Sequence, residues 1–336
     1  MPGGSSFPNP DAFGPSEEAD AVASTAEDPL LAGPGRSTAI LVTGGSGFLA
    51  RHLVPRLLGR GHRVRAVCRR GAGPRGRRMP PGLEWVAADV ADASAVRGLA
   101  EDCEVVVHLA AGRPEDPAAP DVALEGTRNV VTEAARAGSR RLVYVSALGA
   151  GAAPEAGSGR WLESRRPAES VVRSGAPGHV ILRPSLVVGP DDHVVSALAR
   201  VLRRGPLVLP AADGPAGVLQ PAAVEDVAEA LCQAVERPDL EETAHGLAGP
   251  DTVTPAELVR AVAARLSLAR RLVRLPGWGG RRLARLADRT GLTAPSAMAE
   301  MRARALPEPV RDAPGALRRV FRLEPLPLAV ALEDYL

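Results

Sequence analysis

A glycine-rich loop directly after an apolar run constrains this chain more than any other feature of its sequence. Residues 39–42 (AILV) have the continuous hydrophobic character of a buried strand, and TGGSGFLA follows at 43–50. Gly44 permits a tight turn, Gly47 lets the backbone approach a pyrophosphate, and the small Ala50 allows the next helix to pack closely on the strand. The first N–H groups of that helix favour a bound phosphate. The segment therefore predicts a dinucleotide-binding strand–loop–helix unit.

Short apolar runs alternate with helical periods along the following chain. Runs such as Val105-Val106-Val107 are apolar throughout, as expected when helices cover both faces of a parallel sheet. The alternation predicts an α/β fold built on a doubly wound parallel Rossmann sheet, with a smaller and mostly helical C-terminal lobe. Strands are predicted at 39–43, 63–68, 83–87, 104–109, 141–146 and 179–183, and helices at 47–59, 93–100, 121–137, 168–174, 194–204 and 225–236.

Composition divides the 336 residues into three parts. Residues 1–36 are rich in Pro, Gly, Ser and acids, so we expect a disordered tail that cannot bury enough apolar surface to fold. The dinucleotide-binding core is predicted over 37–184. Residues 185–336 are expected to form the lobe for a substrate or partner, and its strands and helices can interleave with the core.

The sequence carries no signal for export or membrane spanning. No stretch approaches 18 consecutive apolar residues, and the N-terminus lacks the basic start and apolar run of a signal peptide. The three cysteines, Cys68, Cys103 and Cys232, are widely spaced and form no CxxC pair, which favours a reducing compartment. We therefore expect a cytoplasmic protein.

All 41 basic residues are arginine, and the chain contains no lysine. This absence excludes a Walker-type phosphate loop, a pyridoxal phosphate enzyme and a Schiff-base aldolase, because each of them needs a lysine amine. The six histidines show neither HxxxH nor HExxH spacing, so no metal site is predicted.

Several separate motifs resemble the short-chain dehydrogenase/reductase superfamily, in its extended and atypical branch similar to NAD-dependent epimerases and dehydratases. Within that branch the chain most resembles the group related to the 39-kDa accessory subunit of respiratory complex I. The resemblance covers about residues 39–245. Its landmarks are TGGSGFLA at 43–50, Asp89-Val90, HLAA at 108–111, EGTRN at 125–129, YVS at 144–146, LRPS at 182–185, Gly189-Pro190 and VEDVA at 224–228.

This resemblance implies a cofactor site. In the superfamily the fingerprint loop holds the pyrophosphate, the Asp-hydrophobic pair lies near the adenine, and the turn after the sixth strand approaches the nicotinamide. The implied cofactor-binding residues are Thr43, Gly44, Ser46, Gly47, Phe48, Leu49, Asp89, Val90, Leu109, Ala110, Ala111 and Pro184.

The acid/base pair of the superfamily is not present. Its pattern is Tyr-x-x-x-Lys, whereas WLESR stands at 161–165. Trp161 has no ionisable proton, and Arg165 stays protonated, although it could still hold a ribose hydroxyl. Pro167 indicates that the next helix begins there, which leaves 161–165 on a loop. The active-site Asn of the family pattern is Ala123 here.

Two functions remain open at this point. The chain is either a dinucleotide-binding protein with degenerate dehydrogenase machinery, serving structure, redox sensing or a partner complex, or an active oxidoreductase or epimerase-like enzyme with a non-standard acid/base. Ser146 is the candidate catalytic residue; its hydroxyl either polarises a substrate or bonds to the backbone at a strand end. Its substrate or protein partner cannot be named from the sequence.

The end of the second predicted strand indicates the form of the cofactor. NAD-selective sites place an acidic residue there to accept from the ribose 2′-OH. This chain has Arg69 and Arg70 instead, and guanidinium groups bind a 2′-phosphate through charge-assisted bonds. We therefore expect NADP(H) rather than NAD(H).

Arginines and leucines interleave between 268 and 292, interrupted by Pro276 and several glycines. This composition suggests peripheral contact with an anionic membrane, which would place the protein at the inner membrane face. The alternative is that the leucines pack on the lobe while the arginines are solvated. Without interleaved aromatics or a recognition motif, the basic segment does not predict nucleic-acid binding.

Overall fold

The structure is a computed structural model that describes most of the chain after residue 36. The tail predicted at 1–36, Arg70, Ala111 and most of the basic segment at 268–292 lie outside the described residues. Those described are 37–69, 79–110, 112, 119–150, 160–176, 178–204, 207–210, 217–268, 272–275, 294–310, 312–333 and 336.

The main sheet has seven parallel strands in the order β10-β6-β5-β4-β1-β2-β3. The chain first builds β1 to β3 outward on one side, and then returns to place β4, β5 and β6 on the other. The predicted doubly wound parallel sheet is confirmed. The strands are β1 Ala39–Thr43, β2 Arg63–Cys68, β3 Leu83–Ala87, β4 Val105–His108, β5 Arg141–Val145, β6 Val180–Pro184, β7 Val187–Val188, β8 Leu207–Pro210, β9 Ala222–Ala223, β10 Thr243–Leu247 and β11 Leu272–Leu275.

Helices cover both faces of this sheet. They are α1 Phe48–Gly59, α2 Ala93–Val96, α3 Ala119–Arg136, α4 Arg160–Glu163, α5 Arg165–Gly175, α6 Val194–Arg204, α7 Val224–Glu236, α8 Pro255–Arg265, α9 Pro295–Arg304, α10 Asp312–Arg319 and α11 Leu328–Glu333. Alternate residues of β1 point to opposite faces. Accordingly, Ile40 and Val42 pack in one cluster with α1 and α7, while Leu41 packs in another with α3 and α5.

The C-terminal segment forms a lobe and also completes the core. Apolar residues of α6, α8, α9 and α11 share a separate cluster, and β7 pairs with β9 beside it. Yet β10 is a strand of the main sheet, and α7 packs on one face of that sheet. Arg141, fully buried on β5, donates to the carbonyl oxygens of Ala234 and Val235 at the end of α7 and pairs with Glu241. The sheet is therefore not confined to residues 37–184.

The loop predicted at 161–165 is wrong. Residues 160–163 form α4, and α5 begins at Arg165 after a single turn residue. Pro167 is the third residue of α5, where its missing N–H costs nothing because the first four N–H groups of a helix have no intrahelical partner. Trp161 and Arg165 are thus held on two consecutive helices. No described helix has the length and apolar character needed to cross a membrane.

Candidate cofactor and substrate groove

A groove of about 450 Å³ follows the carboxyl ends of the parallel strands. It lies where the strand order reverses between β1 and β4, the place at which open α/β sheets bind ligands. We call the part at the ends of β1, β2 and β3 the β1–β3 end, and the part at the ends of β5 and β6 the β5–β6 end. Of the site residues predicted from the sequence, thirteen lie together on its wall: Gly44, Ser46, Gly47, Phe48, Leu49, Arg69, Asp89, Val90, Leu109, Ala110, Ser146, Arg165 and Pro184.

The glycine loop brings backbone close to backbone at the β1–β3 end. Gly44 has φ +70°, and a Cβ there would lie 3.0 Å from the amide nitrogen of Ala110. Gly47 precedes the first residue of α1 in an extended conformation, and its own Cβ would lie 3.0 Å from the carbonyl oxygen of Gly44. Because neither glycine carries a side chain, the N-terminus of α1 reaches the groove wall through Gly47 and Phe48, an arrangement that suits a phosphate.

Thr43, predicted as a cofactor residue, lies beneath the groove rather than on its wall. It is fully buried, and its Oγ1 lies 2.6 Å from Nδ1 of His108. The Thr127 hydroxyl donates to the carbonyl of Ala123, so it must accept from Nε2 of His108, 3.1 Å away. His108 is therefore the neutral Nε2–H tautomer and accepts at Nδ1 from Thr43. Burial, with a smaller effect from the charge of Arg165, lowers the pKa of His108 to about 3.

The indole ring of Trp161 and two guanidinium groups in contact with it form the wall at the β5–β6 end. Cζ of Arg165 lies 4.5 Å from the ring centroid of Trp161, and Cζ of Arg304 lies 4.8 Å from it. Arg304 reaches this ring from α9, donates from Nη1 to the carbonyl of Ser185, and donates from Nε to Glu300 at 3.0 Å. Burial of Arg165 lowers its pKa, and the charge of Arg304 adds to that effect. Two guanidinium groups therefore lie against one indole ring, and that of Arg304 is paired with Glu300.

Ser146 directly follows β5 at the same end of the groove. Its amide donates to the carbonyl of Leu182, and its buried hydroxyl lies close enough to Glu169 to help lower the pKa of that carboxyl. Behind it, Glu169 forms a bidentate ion pair with Arg183 at 2.8 and 2.6 Å. Burial alone would raise the pKa of Glu169, but its hydrogen bonds with Arg183 and Ser146 keep that pKa below the usual value. Glu169 therefore stays ionised and is a poor base for Ser146.

Three polar residues on the groove wall were not predicted from the sequence. They are His193, which precedes α6, and Glu300 and Arg304 of α9. They belong to no motif, and only the folding of the lobe against the core brings them to the glycine loop. Neighbouring Asp192 is buried and caps α6, because its Oδ1 accepts from the amide of Val195 at 2.6 Å.

The groove accepts a dinucleotide on its own geometry. The turn at Gly44 has no room for a Cβ beside the backbone of Ala110, and Gly44, Ser46 and Gly47 line the groove at the N-terminus of α1. A parallel sheet with this loop at its switch point defines a dinucleotide-binding Rossmann protein. The chain belongs to the NAD(P)H-binding family, whose pattern matches residues 44–238.

Relatives and solved structures agree with this assignment. The chain is 32% identical over 248 residues to ceramide reductase of Caulobacter vibrioides (strain NA1000 / CB15N), covering 71% of this chain and 74% of that protein. It resembles the Thermus thermophilus UDP-glucose 4-epimerase complex with NAD at 28% identity and TM-score 0.59, over 72% of this chain and 88% of that one. WbmH of Bordetella bronchiseptica in complex with NAD+ shares the fold at 20% identity and TM-score 0.68, over 89% and 97%.

One of these proteins is named as a reductase and one as an epimerase, in line with the predicted superfamily. The closer link to the complex I group stays a prediction.

Proposed function

We propose that this protein binds NADP(H) in the groove and lacks the superfamily's acid/base pair, so that the bound cofactor serves structure, redox sensing or a partner complex. One observation carries this proposal: Trp161 and Arg165 occupy the β5–β6 end of the groove, where the family pattern has Tyr and Lys. When bound, the nicotinamide can donate or accept a hydride. A proton donor of the usual kind is missing, and losing a general acid typically costs 10²–10⁴ in rate.

Residues of this chain suit each part of the cofactor. The amides around Gly47 face the pyrophosphate position, and Arg69 stands on the wall after β2, where a 2′-phosphate would lie. Arg165 is placed to hold a ribose hydroxyl at the other end of the groove. The NADP(H) preference rests on Arg69 and Arg70, because β2 ends without the acidic residue of an NAD site.

Calorimetry tests both the binding and the preference. NADPH should bind more tightly than NADH, and Arg69→Ala should lower NADPH affinity about tenfold or more, since a charge-assisted hydrogen bond contributes about 1.5–3 kcal/mol. Arg63→Ala is the matched control, because Arg63 is exposed at the opposite end of the same strand. Equal affinities for NADH and NADPH, or equal losses in the two variants, would contradict the NADP(H) assignment.

Turnover is the second candidate, and the side chains of His193 and Glu300 favour it. Both are ionisable and line the groove that holds Ser146. The relative from Caulobacter vibrioides is also a reductase by name. The test is absorbance at 340 nm with ketones, quinones and sugar nucleotides. Turnover that Glu300→Gln or His193→Gln abolishes would establish an oxidoreductase with a replaced acid, whereas no turnover supports the cofactor-binding role.

A further inference from the structure

The exposed face of α6 ends in three arginines that the proposed function does not use. The opposite face of this helix is apolar, and residues such as Leu198 and Leu202 pack into the cluster of the C-terminal lobe. Arg200, Arg203 and Arg204 are all exposed, and α6 contains no acidic residue. Residues three and four positions apart are neighbours on a helix surface, where like charges destabilise the helix. We call these three residues the α6 arginine cluster.

The α6 arginine cluster lacks the counter-charge that other helix ends of this protein have. Arg136 and Arg318 are exposed in the last turns of α3 and α10, and they pair with Glu133 and Glu324. In the described part of the chain, no side-chain hydrogen bond or ion pair engages any member of the α6 arginine cluster. The helix dipole favours cations at a C-terminal end, but it does not remove the repulsion between neighbouring ones. An anion from outside the chain would do so.

A cavity of about 440 Å³ is lined by the α6 arginine cluster. A guanidinium group carries five N–H donors and no acceptor, and the hydroxyl of Ser196 can donate as well. No acidic side chain lines the cavity among the described residues. Donors and positive charge on one concave wall suit a phosphate group, because its oxygens accept the paired N–H bonds of arginine. The described lining residues are Ser196, Ala199, Arg200, Arg203, Arg204 and Leu336.

This cavity is separate from the cofactor groove. α6 begins at the groove, where its first residue, Val194, belongs to the wall. A helix rises about 1.5 Å per residue, so Arg204 at the other end of α6 lies about 15 Å from Val194 along the helix axis. The two cavities share no described lining residue. A ligand in one of them therefore leaves the other open.

We propose that the α6 arginine cluster binds a phosphate group, supplied by a soluble phosphate compound or by the headgroup of a phospholipid. The proposal goes beyond the proposed function, because the site belongs to the lobe and does not depend on NADP(H) in the groove. Arg200 and Arg203 lie on neighbouring turns of α6, so two guanidinium groups can engage one phosphate.

Calorimetric titration of inorganic pyrophosphate into NADP+-saturated protein tests the soluble source. Pyrophosphate should bind, and the double variant Arg200→Gln/Arg203→Gln should weaken its binding about tenfold or more, since charge-assisted hydrogen bonds are lost. Arg97→Gln/Arg302→Gln is the matched control. Both residues are exposed and neither lines the cavity, so the control removes the same charge and should change affinity less than twofold.

Co-sedimentation with phosphatidylcholine vesicles, with and without phosphatidate, tests the lipid source. If the headgroup is the ligand, phosphatidate vesicles should retain the protein, and only Arg200→Gln/Arg203→Gln should lower the retained fraction. Binding to neither pyrophosphate nor phosphatidate vesicles would overturn the proposal. Equal losses in the two double variants with both ligands would also overturn it, because net charge alone would then account for binding.

Failure of the cofactor proposal gives a different result. In that case NADP+ produces no binding heat, and pyrophosphate that enters the groove binds equally well to the wild type and both double variants. A loss confined to Arg200→Gln/Arg203→Gln still identifies the site on α6, because neither residue lines the groove.

Discussion

The two ends of the groove differ in which part of the chain forms their surface, the backbone at one end and side chains at the other. At the β1–β3 end, the ligand surface is mostly backbone: a turn at Gly44 and the open N-terminus of α1, both encoded by eight consecutive residues. At the β5–β6 end, the surface consists of side chains from α4, α5 and α9, which the fold gathers from distant parts of the chain. A site made of backbone tolerates little change in its sequence, whereas a site made of side chains can be replaced one residue at a time. The chain keeps the family pattern at the first end and departs from it at the second.

The largest effect is expected at the backbone-built end. Gly47→Val should lower NADP(H) affinity at least about 100-fold, because a branched side chain would meet the Gly44 carbonyl and occupy the phosphate position. Calorimetry measures the loss. Gly59→Ala is the matched control, since a Cβ at Gly59 meets nothing within 4 Å, and it should leave affinity unchanged. Unaltered affinity in a folded Gly47→Val protein would mean that the loop is only a turn.

The second prediction concerns His108, which is buried beneath the β1–β3 end and should make the stability of the protein depend on pH. His108 has a folded-state pKa of about 3 and an ordinary unfolded pKa near 6.5, so the unfolded state binds its proton first as pH falls. Stability is therefore lost as pH falls below about 6.5. Between pH 7 and 5 this residue should account for about 2 kcal/mol of the decrease in unfolding free energy.

Urea unfolding of the wild type and of His108→Gln at both pH values measures that share. The variant is less stable at pH 7, but its further decrease toward pH 5 should be smaller by this amount. Equal decreases in the two proteins would show that His108 is not held neutral.

The smallest effect is expected from a change at the side-chain-built end. Trp161→Phe keeps an aromatic face for the two guanidinium groups, so NADP(H) affinity and any basal turnover should change less than twofold. The same calorimetry and 340 nm assay apply. A large drop in detectable turnover would mean that Trp161 takes part in the chemistry and that the degenerate-site proposal is wrong.

Sequence reasoning could predict what local periodicity and one motif encode. The strands from 39–43 onward and the glycine loop were predictable because buried parallel strands are apolar throughout and the turn needs glycine. The short helix α4 is not predictable in this way, because Pro167 signals a helix start in the sequence, whereas the first turn of α5 accommodates it as the third residue.

The tertiary contacts of the site were beyond sequence reasoning for a different reason. Thr43 bonds to His108 across 65 positions, and Arg304 meets Trp161 only after the lobe packs against the core. No spacing in the chain signals either pair, because strand order and lobe position decide them.

The position of β10 has a consequence for how this protein is made on the ribosome. β6 pairs with β5 on one side and with β10 on the other, and β10 is translated only after residues 185–242. At about 5–20 residues per second, the nascent chain carries β6 as an open apolar edge for several seconds. Such an edge is a template for pairing with another chain, so this interval is when chaperones would protect the protein and crowding would favour aggregation.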